Sequence, residues 1–226
     1  MLIESAENKN KILTEFLKIC VFEGWNDDSL KKAIINSGFE EKFTGIIFEK
    51  GCIDIADFFI SQTNQKMLKK LKELDLDKMR VRDKIAKAVI INLEINNENK
   101  AALKKLVNFY SHPKRVVYAF KSCYKVVDLI WYEIGDKSTD FNFYTKRAIL
   151  SKVYIRTLKY FIDDNSENNN KTLDFLDRQV ERVMKFAAFK AQAKGFCNKI
   201  SNLKESFKGK SPKELIKKLP FFRLIK

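Results

Sequence analysis

The chain has 226 residues with 44 Lys/Arg against 29 Asp/Glu, a formal net charge of +15 and 45% hydrophobic residues, which excludes a disordered chain. Only 7 Gly and 3 Pro are present, too few for the turns of a sandwich or barrel, and the single His, His112, excludes most His-based triads and multi-His metal sites. The charge invites a nucleic-acid reading, which depends on where that charge lies.

Apolar residues recur at helical spacing almost throughout, so the expected class is all-α. A first helix covers about 9–23, with Ile12, Phe16, Ile19 and Cys20 on one face. Asn26 or Asp27 caps a second helix through about Ser37, and Gly38 ends it. A short helix follows near 41–48, then a long one over about 53–74 after Gly51. Asp77 is expected to cap a helix over 78–94 that Asn96 and Asn97 break, and another runs 98–110. Pro113 opens a helix through Val117, Phe120, Tyr124, Val127 and Trp131 to Gly135, at steps of 3, 4, 3 and 4. Helices over 141–162 and 172–193 complete a count of nine.

The tail, 194–226, differs in composition. It holds ten Lys/Arg against Glu205 and Glu214, a net +8, which leaves +7 on the other 193 residues. Phe196, Ile200, Leu203 and Phe207 fall on one narrow helical face, beside Lys204 and Lys208. A basic amphipathic helix of this kind binds an anionic membrane surface by burying its apolar side chains among headgroups. A solvated or dimer-packed helix is the alternative. No stretch is apolar enough to span a membrane, and the first residues lack the apolar core of a secretory signal. Cys20, Cys52, Cys123 and Cys197 are scattered, and are expected to be buried, reduced thiols of a cytoplasmic protein.

The first three helices have the lengths and order of a helix-turn-helix module ahead of a long helical domain, and in this the chain resembles the TetR class of regulators. A DNA-reading surface needs cationic side chains to meet phosphate. Residues 25–60 carry four Lys and seven acids, a net −3, and Glu40 and Glu41 fall where phosphate would approach. The expectation is therefore a TetR-like fold without nucleic-acid binding.

One motif is more specific. Residues 135–148, GDKSTDFNFYTKRA, resemble the family of the ninth coenzyme Q protein, a lipid-binding accessory of ubiquinone biosynthesis. Four further stretches agree in order: FEGWNDDSL from 22, MRVRDKI from 79, DLIW from 128 and FLDRQVERVM from 175. The resemblance covers about 10–190 and implies a homodimeric, non-enzymatic protein with a TetR-like fold. It also implies an isoprenoid or quinone lipid in an apolar cavity, presented to the hydroxylase acting on demethoxyubiquinone. No other cofactor and no metal is expected. The implied partner surface is Asp140, Asn142, Phe143, Tyr144 and Arg147, with Phe143 where the family usually has Trp. Ser138 or Thr139 as helix cap accounts for part of this motif, and Arg147 pairs either with an acidic partner or with Asp140.

Candidate cavity residues are Phe58, Phe59, Val89, Phe120, Tyr124, Val127, Trp131 and Tyr154; by spacing alone each reads first as plain core, and the resemblance is what raises the cavity reading. The organisation expected is a helix-turn-helix-like module over 1–50, a lipid-binding and dimerising domain over 51–193, and the membrane-associating tail over 194–226. The last two helices of the body would form the dimer interface. The setting expected is the bacterial cytoplasm, against the inner membrane. The competing readings are a ligand-responsive transcription regulator that binds DNA and a plain structural interaction protein. No nucleophile–base pair, P-loop or di-iron ExxH pair occurs to support catalysis by this chain.

Overall fold

The computed structural model describes residues 4–139 and 141–185. Among these the fold is all-α, with nine helices and no strand. Two compact units are present, Met1–Val180 and Glu181–Lys226, so the boundary expected near residue 50 falls inside the first. Of the second unit, residues 181–185 are described; they are helical, with a Lys185–Glu181 ion pair at 2.8 Å.

Helix α1, Ala6–Glu23, starts where the Ser5 hydroxyl accepts from Asn8 N at 3.2 Å, and it buries Ile12, Leu13, Phe16 and Cys20. Helix α2, Asp27–Asn36, is capped by Asn26, whose Oδ1 accepts from Ser29 N at 2.8 Å, and Gly38 follows it at φ +84°, as expected. The choice between Asn26 and Asp27 is thereby settled, because Asp27 has another task. Its Oδ1 accepts from Cys52 N at 2.9 Å, at the start of α4, Cys52–Lys72. Gly51 makes this approach possible: its φ is +54°, and a Cβ there would collide with the Asp27 carboxylate. Between them, a 3₁₀ turn at Glu41–Phe43 leads into α3, Thr44–Ile47, where a short helix near 41–48 was expected.

Helix α5, Val81–Asn97, departs from its expected ends. Asp77 lies in a separate 3₁₀ turn, Leu76–Lys78, and the helix begins after Arg80 without a side-chain cap. Asn96 and Asn97 do not break it. Asn96 is buried and donates from Nδ2 to Asn92 O at 2.8 Å, so its amide is satisfied inside the helix. Helix α6 is Lys100–Tyr110. Pro113 opens a 3₁₀ turn, Pro113–Arg115, and α7, Val116–Glu133, continues from it. Helix α8 is Phe141–Asp163, and α9 is helical over 170–185, starting two residues before the expected 172; the expected stretch 186–193 lies outside the described residues.

The core gathers where α1 packs on α2 and α6, α4 on α5 and α7, and α7 on α8. Trp25 ties these layers: it meets Phe16 edge-on at 4.8 Å, reaches Phe59, and donates from Nε1 to Ala102 O at 2.8 Å. The connection between α8 and α9 is held by Asp164, which accepts from Ser166 N, Thr172 N and Thr172 Oγ1 at 2.6–2.9 Å. Burial opposes its charge, but these donors outweigh it and hold the carboxyl well below the usual carboxylate range. Cys20, Cys52 and Cys123 are buried free thiols, as expected, and burial pushes Cys20 up to about 12. Cys197 lies outside the described residues.

Candidate functional site: an apolar cavity and an ion-paired elbow

Three helices leave a partly open cavity of about 270 Å³ between them. Helix α6 lines it with Leu103, Leu106, Val107 and Tyr110, and α8 with Tyr154, Ile155, Leu158 and Lys159. Helix α7 supplies Val116, Ala119, Phe120, Ser122, Cys123 and Val126, and α4 closes one wall with Ile60. An apolar hollow with few polar groups is the usual form of a lipid or small-molecule site.

Of the eight candidate cavity residues, Phe120 and Tyr154 lie on these walls. Phe59, Val89 and Val127 are buried core, and Phe58 is half-buried on α4. Tyr124 is largely exposed, and Trp131 lies at the far end of α7. The regular spacing on α7 therefore does not mark one buried face: Val117 is 61% exposed and Phe120 64%, while Val127 and Trp131 are covered. The buried stripe runs instead through Ser122, Cys123, Val126, Val127 and Ile130.

The wall on α6, and Ile155, Leu158 and Lys159 beside Tyr154 on α8, were missed. Leu103, Leu106, Val107 and Tyr110 do recur at helical spacing. Nothing in that spacing distinguishes a residue facing a hollow from one facing a neighbour.

The elbow between α7 and α8 holds the 135–148 motif. Gly135, at φ +86°, lets the chain turn away from α7. Asp136 is the hub. Its Oδ1 accepts from Ser138 Oγ at 2.8 Å and Lys146 Nζ at 2.7 Å, and its Oδ2 from Arg147 Nη1 at 3.2 Å. Burial opposes its charge, and the Lys146, Ser138 and Arg147 hydrogen bonds outweigh that penalty, holding the carboxyl at about 2. Ser138 thus spends its hydroxyl on Asp136 rather than on capping α8.

Arg147 departs from its expected place on a partner surface. It is buried, donates from Nε to Asp128 Oδ1 at 2.5 Å, and lays its guanidinium over the Phe143 ring, 3.3 Å from the centroid. Among the described residues its ion-pair partners are Asp128 and Asp136. Phe143 is half-buried between Arg147 and Tyr144, meeting Tyr144 edge-on at 5.2 Å. Tyr144, 67% exposed, and Asn142 face outward. Asp140 lies outside the described residues, as do Phe196, Ile200, Leu203, Lys204, Phe207 and Lys208 of the tail.

At the N-terminal module, Glu40 and Glu41 are exposed and paired with Lys42 at 2.7 Å and Lys31 at 3.0 Å. Lys32 is paired with Glu23 at 2.8 Å, so three of the four lysines over 25–60 already have an acidic partner within the module. No helix among the described residues is long and apolar enough to cross a membrane, and these residues hold no group of three or more His, Cys, Asp or Glu that could bind a metal ion.

The fold resembles a crystal structure of a TetR transcriptional regulator from Nitrosomonas europaea, with a TM-score of 0.62 over 77% of this chain and 96% of that one, at 14% identity. In sequence the chain is 28% identical over 190 residues to the probable ubiquinone biosynthesis protein coq9, mitochondrial, of Dictyostelium discoideum, covering 81% of this chain and 62% of that protein. It is 25% identical over 189 residues to the Drosophila melanogaster ubiquinone biosynthesis protein COQ9, covering 82% and 58%, and 24% identical over 208 residues to the Homo sapiens protein, covering 84% and 62%. The chain spans about three fifths of the length of these relatives, which are mitochondrial by name; the setting expected from the sequence is bacterial. The COQ9 family model matches residues 116–187, from the start of α7 through the elbow and α8 into α9. The 135–148 motif thus lies within the stretch that the COQ9 family model matches, in a chain similar to COQ9 proteins along about four fifths of its length.

Proposed function

We propose that this protein is a non-catalytic accessory of ubiquinone biosynthesis that holds an isoprenoid quinone precursor in the cavity between α6, α7 and α8. The observation that carries the reading is that cavity: about 270 Å³, walled by Leu, Ile, Val and aromatic side chains, with its α7 and α8 walls inside the stretch that the COQ9 family model matches. Phe120 stands at its rim, beside exposed Val117 on the same face of α7. A ligand leaving a bilayer meets apolar side chains there before it meets the core.

Under this reading the basic tail brings the body to an anionic membrane. Asn142, Phe143 and Tyr144 form the outward part of a docking surface for the hydroxylase, with Arg147 holding Phe143 in place from behind. Chemistry on the ring belongs to that partner enzyme. Pairing of two copies through α8 and α9 completes the assembly.

Lipid copurifying with the full chain, extracted and identified by mass spectrometry, tests the reading. A prenylated ring compound or free isoprenoid is the expected result, and lipid-free protein that also takes none up from liposomes overturns it. A duplex-DNA titration at two salt concentrations addresses the regulator reading: tight, salt-steep binding would favour it, and the paired Glu40 and Glu41 lead us to expect none.

A further inference from the structure

The cavity has a polar spot where α6 meets α7. The Tyr110 and Ser122 hydroxyls lie 3.3 Å apart, and Ser122 Oγ donates to Asp57 Oδ1 at 3.0 Å. The other oxygen of Asp57 accepts from Lys125 Nζ at 2.9 Å. The direction of this relay is set at its far end. A carboxylate paired with an ammonium only accepts, so the one proton of Ser122 goes to Asp57. Ser122 can then only accept from Tyr110, and the proton of Tyr110 is committed as well. Burial pushes the Tyr110 phenol up to about 12, so that proton stays on the ring oxygen.

The other wall hydroxyls are also spent. Ser111 Oγ donates to Val107 O at 2.8 Å, and the Tyr154 hydroxyl donates to Asn92 Oδ1 at 2.9 Å, turning into the core. Lys159 is the charged donor on the wall, and it sits exposed at the mouth, where water competes for it. The interior of the cavity therefore offers a lone pair on Tyr110 and no free hydroxyl proton.

We infer that the cavity selects hydrophobic ligands that carry a hydroxyl, a prenylated phenol or a prenyl alcohol, over the same molecules with that proton removed or masked, the ligand hydroxyl donating to Tyr110 Oη. This rests on the reading of the cavity as a lipid site and adds the chemical class of the head it accepts.

Intrinsic tryptophan quenching of the full chain by three probes tests it: 4-geranylgeranylphenol, its methyl ether, and geranylgeraniol. The phenol should bind about tenfold tighter than the ether, the worth of one well-made hydrogen bond. In Tyr110→Phe the ratio should fall to near one with ether binding retained, which also shows that the cavity still forms. In Ser122→Ala the Tyr110 proton is released and the ether should gain. Geranylgeraniol weakened by Tyr110→Phe would extend the preference to alcohols. Equal binding of phenol and ether to the unaltered protein, or a ratio that survives Tyr110→Phe, overturns the inference while leaving the lipid site standing. If none of the three probes binds, the lipid site falls, and the inference with it.

Discussion

The two ends of α7 carry the same kind of side chain at the same spacing and do opposite things. At its C-terminal end Trp131 is covered, Lys146 lies 5.3 Å over its ring, and Arg147 bridges Asp128 and Asp136 beside it. At its N-terminal end Val117 and Phe120 stand in solvent next to the cavity. One end is locked by buried charge, and the other leaves apolar surface uncovered at the mouth of a hollow. An apolar stripe therefore identifies a face of a helix and not what covers it, and a face left uncovered is where a ligand or a membrane belongs.

Substitutions at the two ends should separate them. Trp131→Ala, at the locked end, should cost about 4 kcal/mol, as large-to-small changes in a packed core do; Phe120→Ala is the matched control. Thermal unfolding that drops equally for both would erase the contrast. Next in size is Arg147→Met, which leaves buried Asp136 with Lys146 and Ser138 alone; we expect a loss of about 3 kcal/mol, a fall in Tm of roughly 10 °C.

The same lock has a pH signature. The Asp136 carboxyl sits at about 2 in the fold against an ordinary 3.8, so its stabilisation is complete above about pH 4 and fades as pH falls towards 2. Melts between pH 5 and 2 should show this acid loss in the unaltered protein and less of it in Asp136→Asn, which starts lower. An acid limb of unchanged size in that variant would move the titrating group elsewhere, Asp164 first. The smallest stability effect is expected for Phe120→Ser, within about 0.5 kcal/mol of the unaltered protein. Its uptake of isoprenoid lipid from liposomes should nevertheless slow several-fold. Unchanged uptake would mean that the exposed ring is not part of the entry path.

The elements themselves were legible where local chemistry decides them. Asn26, one of the two expected caps, accepting from Ser29 N and Gly38 in the left-handed region are both sequence-local events. Asp77 was misread because a capping residue resembles any other turn residue until the helix beyond it is seen to start at Val81. Asn96 was taken as a breaker because its amide usually competes with the backbone; buried one turn after Asn92, it hydrogen-bonds along the helix instead. The elbow motif was visible, but the direction of Arg147 was not. Its partners lie 11 and 19 residues back, and only the fold brings Asp136 and Asp128 to it. The cavity is the extreme case, since its walls come from four helices and each wall alone looks like core.

The clamp at the turn between α1 and α2 has a kinetic meaning. Trp25 hydrogen-bonds to α6 and Asp27 to the first turn of α4, two residues apart in sequence. A swing of the N-terminal helices against the rest of the first unit would have to open both bonds and uncover Trp25 at once. The Cys52 amide, held by Asp27, is therefore expected to exchange its hydrogen as slowly as the deepest amides of α4, through global opening rather than a local hinge. What occupies the cavity would then alter the lifetime of the whole unit, with no separate signal sent to its first three helices.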